Sequence, residues 1–314
     1  MAEKVFITGA SGFIGANLMR RLLADGFEVT AAIRPGSKNF WRLEDVTDQI
    51  RILRLDLTDQ KDTAEKLGQI GPNYIFHLAA YGAYPGQIDS EQMWRTNLFA
   101  AINLIEAAKV VGFQKMIIAG SSSEYGKKSE AMKESDRLEP STIYGVSKAA
   151  STLYCQYRAR EEKLPLAILR PFSVYGPWEE PGRLAPRLIG RALKNEPLEL
   201  VGSKTVRDFI YIDDVVEACL KSMNEDKING QIMNICSGMQ TEIGEMAEQV
   251  VSITGSKSRV QRGSYEARSF DTDIWVGNPE KTKKLLGWQA RVALKEGIRQ
   301  TVEWYKSHKH YYEH

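Results

Sequence analysis

Three glycines recur at intervals of three in Gly9-Ala-Ser-Gly12-Phe-Ile-Gly15, between a short run, Val5-Phe-Ile-Thr8, and an apolar stripe at helical spacing, Phe13, Ile14, Leu18 and Leu22. A strand, a glycine turn and a helix in that order let backbone amides and the positive end of a helix dipole approach a pyrophosphate. This arrangement constrains the fold more than any other feature, because it asks for a βαβ unit on a parallel sheet. Ser11, Phe13 and Ile14 join Gly9, Gly12 and Gly15 as candidate dinucleotide contacts. The spacing is GxxGxxG and not GxGxxG, so a tight turn with no ligand is the competing reading.

The first half repeats that rhythm. Short apolar runs at 5–8, 29–33, 52–55, 74–79, 116–119 and 166–169 alternate with helical patterns, among them Leu98, Ile102, Ile105 and Ala108. Six such runs predict an α/β fold with a doubly wound parallel Rossmann sheet. After Pro171 the pattern changes: Gly176-Pro177-Trp178-Glu179-Glu180-Pro181-Gly182 is rich in breakers, and a basic helical stretch follows over 184–195. Residues 207–215 read as a strand running into a helix, and an amphipathic helix is expected near 296–305. The expected organisation is a Rossmann domain over 1–171 with a return segment at about 206–234, and a smaller α/β substrate domain from 172–205 and 235–314. With 314 residues and 43% hydrophobic content, the chain is long enough for both.

At the end of the second strand a carboxylate would accept from a free ribose 2′-hydroxyl. Arg34 stands there, with Ser37 and Lys38 behind it. These groups offer charge-assisted donors to a 2′-phosphate, which favours NADP over NAD; a solvated loop arginine is the alternative. Asp56, closing the third strand, and His77-Leu78-Ala79-Ala80 fall where such a sheet meets adenine and ribose, although Asp56 would serve equally as a helix cap.

Downstream lies Tyr144-Gly-Val-Ser-Lys148. Four residues apart on a helix, the two side chains share a face. A phenol with an ordinary pKa of about 10 needs a fixed positive neighbour for acid–base work near neutrality, and Lys148 is placed to be one. An ordinary surface pair is the plainer reading.

Composition removes other classes. Lys and Arg total 42 against 40 Asp and Glu, which gives no electrostatic reason for a nucleic-acid or anionic-membrane partner. No apolar run is long enough to span a membrane and no secretory signal is read at the start, so a cytoplasmic protein is expected. Cys155, Cys219 and Cys236 are widely spaced and read as buried thiols. Of the four histidines only His77 lies in the body; His308, His310 and His314 crowd a tail expected to be solvated and frayed. A histidine metal centre or a Ser-His-Asp site is therefore not expected, and no metal is assigned. Asp213-Asp214 reads as dipole-complementing carboxylates at a helix start.

These blocks, together with Asn97, Ser121-Ser-Ser-Glu-Tyr-Gly126, Arg170-Pro-Phe-Ser-Val-Tyr-Gly-Pro177 and Arg207-Asp-Phe-Ile-Tyr211, resemble the extended short-chain dehydrogenase/reductases, a family of nucleotide-sugar epimerases, dehydratases and ketoreductases. The resemblance spans nearly the whole chain. It implies that the Tyr144 phenol exchanges a proton with a sugar oxygen while the nicotinamide exchanges a hydride with the attached carbon. It implies further that Lys148 holds the nicotinamide ribose and lowers the Tyr144 pKa. Ser121, four residues before Tyr125-Gly126, would hydrogen-bond the same oxygen. Leu57, Leu78, Ala79, Ala80, Asn97 and Pro171 join the implied cofactor contacts.

On the substrate side the resemblance marks Arg207 and Arg268 as diphosphate-binding arginines, with Ser122, Ser123, Ser173 and Arg187 as further contacts. Ser173 departs from the asparagine that many members carry there. Tyr81 and Tyr84 are placed to reach the sugar, although Tyr84 would equally suit packing. Trp178 suits a lid or plain loop packing. Family 4,6-dehydratases often place an acid and a base at the two positions after the hydroxyl; here Ser122 and Ser123 have no suitable pKa, which disfavours elimination. Glu124, one place further on, would substitute for the missing acid or base if the loop shifts, but is expected to be a solvated glutamate. The expected activity is NADPH-dependent reduction of a nucleotide-diphospho-4-keto-6-deoxyhexose. An NAD-dependent 4-epimerase is the alternative and a non-catalytic dinucleotide sensor a weaker one. By the same resemblance, the chain forms a homodimer through the helices near 92–111 and 142–162.

Overall fold

A computed structural model of the chain describes residues 2–37, 40–84, 86–201, 205–265 and 272–312. From the N-terminus come β1 (Lys4–Thr8), α1 (Phe13–Ala24), β2 (Glu28–Ile33), β3 (Arg51–Arg54), α2 (Gln60–Ile70) and β4 (Tyr74–His77). Next are α3 (Ser90–Trp94), a π-helical turn (Arg95–Phe99), α4 (Ala100–Val111), β5 (Lys115–Ala119), α5 (Ile143–Glu161) and β6 (Leu166–Pro171). Then follow β7 (Ser173–Tyr175), α6 (Leu184–Leu193), β8 (Leu198–Val201), β9 (Val206–Arg207), β10 (Phe209–Tyr211) and α7 (Ile212–Met223). The chain ends with β11 (Ile232–Ile235), β12 (Thr241–Glu242), α8 (Ile243–Thr254), β13 (Val260–Tyr265), α9 (Glu280–Leu286) and α10 (Leu294–Ser307).

The central sheet has seven strands in the order β11-β6-β5-β4-β1-β2-β3, all pairs parallel. Alternation along the strands builds two cores. Val5, Ile7 and Phe76 face one layer with Leu18, Val215 and Tyr305, while Phe6, Ile75 and Ile118 face the other with Leu67, Leu104 and Cys155. Both faces are therefore covered, as a parallel sheet requires. The winding reverses between β1 and β4, and the glycine turn after β1 lies at that switch point.

All six predicted strands are present, but the sheet has a seventh, β11, which was not singled out in the sequence. Its Ile-Met-Asn-Ile run is short and interrupted by Asn234, a fully buried polar residue whose Oδ1 accepts from the Tyr125 hydroxyl at 2.7 Å. Beyond the sheet, β7 pairs with β10 and β8 with β13 in parallel, and β9 pairs antiparallel with β12. Local signals set the helix ends. Thr142 Oγ1 accepts from Gly145 N at 3.0 Å to start α5, and Asp59 Oδ1 accepts from Asp62 N at 2.9 Å to start α2.

Candidate active site

The glycine turn is shaped so closely that side chains are excluded. Gly9 has φ +70°, and a Cβ there would lie 2.6 Å from Ala79 N; one on Gly15 would lie 2.3 Å from Gly9 O. Gly12 N donates to Gly9 O at 2.9 Å, closing the turn directly before α1. The turn therefore sits against Leu78 and Ala79 at the end of β4, and leaves a backbone cradle at a helix N-terminus of the kind that meets a pyrophosphate.

His77 is locked beneath it. Its Nδ1 lies 2.8 Å from Thr8 Oγ1, and burial, with the Lys148 charge adding to it, pushes the imidazole down to about 3. It is a neutral structural partner in any ordinary buffer. Asp56 accepts from Thr58 N at 2.9 Å and Thr58 Oγ1 at 2.7 Å, so the cap of α2 falls to Asp59 and not to Asp56. Arg34 is exposed just past β2. Arg54, ending the neighbouring β3, donates to Arg34 O and Ser37 O at 3.5 and 3.4 Å and stacks on the Phe40 ring at 4.5 Å. Lys38 lies outside the described residues.

Asn97 belongs to the π-helical turn and is buried. Its carboxamide bonds the Tyr81 amide and carbonyl, both at 2.8 Å, and donates to Ser147 Oγ at 2.8 Å. Its polar atoms are thus engaged in holding the Tyr81 segment to α5, where the sequence reading has them on the cofactor.

Tyr144, Lys148 and Thr152 follow at steps of four along α5 and face the end of β5. Lys148 is 2% exposed, and its Nζ donates to Ala119 O at 2.5 Å. Burial lowers its pKa while the Glu124 charge raises it. An ammonium has three donors; those not held by Ala119 suit the hydroxyls of a nicotinamide ribose, so the residues present fit a bound dinucleotide. The Tyr144 hydroxyl is hydrogen-bonded to Ser121, which follows β5. The three predicted catalytic residues are therefore brought together. The phenol's pKa does not fall as expected from Lys148: burial raises it above the ordinary tyrosine range, the Ser121 bond partly offsets this, and the Glu124 charge adds to the rise.

Glu124 is fully buried, contrary to the expectation of a solvated side chain. Its Oε1 accepts from Ser121 N at 2.7 Å and its Oε2 from Arg170 Nε at 2.8 Å. Ser121-Ser-Ser-Glu124 is a capping box with Ser123 N donating to Ser121 Oγ at 3.1 Å. That S-x-x-E spacing is a sequence signal that could have placed the carboxylate inward.

On the opposite wall, the Arg183 guanidinium donates to Ala83 O at 3.1 Å and lies 5.8 Å from the Tyr84 ring centroid. Both Arg183 and Tyr84 act electrostatically on the Tyr144 phenol. Glu179 is buried beside them, 3.8 Å from Arg183 Nε, and burial pushes its carboxyl up to about 8. Pro85, next to Tyr84, lies outside the described residues.

Trp178 is packed, not a lid. Its ring lies 5.1 Å from Trp304, 5.2 Å from Tyr311 and 5.7 Å from Trp41, with the Arg20 guanidinium 3.9 Å above it. The tail is correspondingly docked: His308 stacks on Trp304 at 4.4 Å. Aromatic contact outweighs the fraying expected of a polar terminus. Three successive carbonyls of this loop are held by side chains from distant segments. Asn17 Nδ2 donates to Pro177 O at 3.0 Å, Arg42 Nε to Trp178 O at 2.7 Å, and the Tyr312 hydroxyl to Glu179 O at 2.9 Å. Arg42, buried and unremarked in the sequence, also reaches Ser11 O at 3.3 Å and Glu180 Oε2 at 2.7 Å.

Of the remaining substrate-side candidates, Ser122 is buried and Ser123, Ser173 and Arg187 are half-buried. Ser173 lies in β7 and Arg187 on α6. Arg207 packs over Trp275 at 5.7 Å. Arg268 lies outside the described residues. Asp214, in the first turn of α7, accepts from Arg291 N and Val292 N at 3.0 Å each, a structural use of that pair.

A Rossmann sheet with a glycine turn at its switch point and a Ser-Tyr-Lys set at its carboxyl edge defines a dinucleotide-dependent enzyme site. Residues 5–236 match the NAD dependent epimerase/dehydratase family, and the chain belongs to it. It is 30% identical to a UDP-N-acetyl-alpha-D-glucosaminuronate decarboxylase of Bacillus cytotoxicus, over 98% of each chain. Among solved structures it is similar to the UDP-glucose 4-epimerase of Thermotoga maritima with UDP-glucose, at a TM-score of 0.89 and 26% identity, covering 97% of this chain and 99% of that one. It is also similar to the UDP-glucuronic acid 4-epimerase of Bacillus cereus in complex with UDP-glucuronic acid and NAD, at a TM-score of 0.85, 26% identity and the same coverage. Among the described residues no helix is long and apolar enough to cross a membrane.

Proposed function

We propose that the chain is an NADPH-dependent reductase of nucleotide-diphospho-4-keto-6-deoxyhexoses, with the segments 172–205 and 235–314 forming the substrate side. The observation that carries this reading is the arginine pair at the ends of β2 and β3. Arg34 stands where a carboxylate would select a free ribose hydroxyl, and Arg54 supports its backbone, so the corner favours a 2′-phosphate. When bound, the dinucleotide supplies hydride chemistry at its nicotinamide C4.

The chain's own residues supply the rest. Tyr144, kept protonated by burial, donates its proton to the sugar O4 as the carbonyl is reduced. Ser121 steadies the same oxygen, and the Lys148 ammonium holds the ribose. Arg207 binds the diphosphate. Ser122 and Ser123 lack the acid–base pair that would eliminate water.

A second reading, an NAD-dependent nucleotide-sugar 4-epimerase, is favoured by the named activities of the relatives and uses the same three residues. It uses the phenol in the reverse sense, beginning by withdrawing a proton from a sugar hydroxyl. Two measurements separate the readings. NADPH should be oxidised by a thymidine, cytidine, guanosine or uridine diphospho-4-keto-6-deoxyhexose, and failure with all four removes the reductase. Denaturing the purified protein and finding tightly held NAD, not NADP, would favour the epimerase.

We also infer a homodimer through the helices near 92–111 and 142–162, where Phe99, Leu153 and Tyr157 are each more than half exposed, at 51%, 56% and 53%. Light scattering of Leu153→Asp/Tyr157→Asp should then report a monomer where the parent chain is a dimer.

A further inference from the structure

We propose that Glu124 is a positioning residue of the reaction: from behind the Ser121, Tyr144 and Lys148 face it fixes the serine backbone and provides the negative charge against which the lysine is held. The inference rests on the oxidoreductase reading of that site. Its support is geometric. One carboxylate oxygen accepts from Ser121 N at 2.7 Å and from Thr152 Oγ1 at 3.1 Å, and Thr152 is the next residue of the Tyr144–Lys148 face of α5. The other oxygen lies 2.8 Å from Arg170 Nε and 2.6 Å from Arg170 Nη2, and both partners are fully buried. The backbone before Ser121 is shaped around this carboxylate: a Cβ on Gly120 would lie 2.7 Å from Glu124 Oε1.

A buried ion pair is poor evidence for stability, since well-packed apolar residues of similar volume often serve as well or better. Its location gives it a different use. Glu124 is joined to all three members of the site: to Ser121 by a hydrogen bond, and to Tyr144 and Lys148 through their electrostatics. Among the described residues, the charged and titratable groups that act on the phenol are Glu124, Arg183 and Tyr84, and those that act on the ammonium or are acted on by it are Glu124, Cys155 and His77. His77 is neutral and Cys155 is a thiol pushed up to about 12, which leaves Glu124 as the carboxylate among the described groups acting on Lys148.

The test separates charge from shape. Glu124→Gln keeps a carbonyl acceptor for Ser121 N and Thr152, removes the charge, and turns an amide donor toward Arg170 in place of the second carboxylate oxygen. Glu124→Gln paired with Arg170→Met covers the case in which an unpaired guanidinium prevents folding. Ionisation of Tyr144 is followed by ultraviolet difference spectra of the NADP complex, with the same variants carrying Tyr144→Phe as references. The phenol midpoint should fall by about one pH unit in Glu124→Gln, because a repelling anion has been removed. With a keto-sugar substrate, kcat should fall about tenfold in Glu124→Gln, and Glu124→Leu, which also strips the acceptor from Ser121 N, should lose about a hundredfold.

A midpoint that does not move in a folded variant overturns the inference, whatever happens to turnover. The titration needs no sugar, so failure of every keto sugar sinks the reductase reading without deciding this one.

Discussion

The two walls of the site are made of different material. On the dinucleotide side the working surface is backbone: Gly9, Gly12 and Gly15 act by lacking side chains, and a Cβ on Gly9 or Gly15 would sit 2.3–2.9 Å from main-chain atoms. On the opposite side the working surface is side chains: Arg183 pairs with Glu179 and lies near the Tyr84 ring, while Arg42 and Tyr312 hold the carbonyls of Trp178 and Glu179. The difference teaches where specificity can change. A wall of backbone admits one ligand geometry and tolerates no substitution, whereas a wall of side chains can be redrawn residue by residue.

Four changes would break or sharpen that contrast. Tyr144→Phe, on neither wall but between them, should lower kcat about a thousandfold, near 4 kcal/mol, while dinucleotide affinity by fluorescence titration stays within about twofold. Equal loss of both would mean that the phenol is part of the binding surface. Trp178→Ala removes the centre of the aromatic stack and should cost about 3–4 kcal/mol in urea unfolding; a cost below about 1 kcal/mol would show the wall to be loosely held. Gly15→Ala, a single methyl group against the Gly9 carbonyl, should destabilise the turn by about 3 kcal/mol and weaken dinucleotide binding with it.

The smallest effect concerns Glu179, and its sign can be worked out. The folded carboxyl sits at about 8, above the ordinary glutamate value of about 4.5. Between those values the folded chain binds a proton that the unfolded chain has released. Stability from this group is therefore full at low pH and is lost as pH rises toward 8. Glu179→Gln should match the parent near pH 4.5 and exceed it by on the order of 2 kcal/mol at pH 8, read from denaturant midpoints. A constant difference across that range would show that Glu179 is ionised throughout.

The backbone wall was legible in the sequence because its signals are local. The glycines, the alternating runs of the six strands and the four-residue step from Tyr144 to Lys148 each state their structure within a few positions. The side-chain wall was not, because its contacts join residues far apart. Arg42 meets Trp178 across 136 positions and Tyr312 meets Glu179 across 133. No periodicity reports such a contact, and for that reason Trp178 was compatible with a lid and the tail with fraying. Glu124 is the intermediate case. Its capping-box spacing was present, but the arginine that makes burial tolerable lies 46 residues further on.

Trp178 takes a backbone conformation with φ +69°, which few residues other than glycine accept, and it does so in the middle of the three anchored carbonyls, Pro177, Trp178 and Glu179. An insertion or deletion of one residue there would shift all three out of register at once. The length of this stretch is therefore set by Asn17, Arg42 and Tyr312. Loop grafts meant to change the substrate should leave that length as it is.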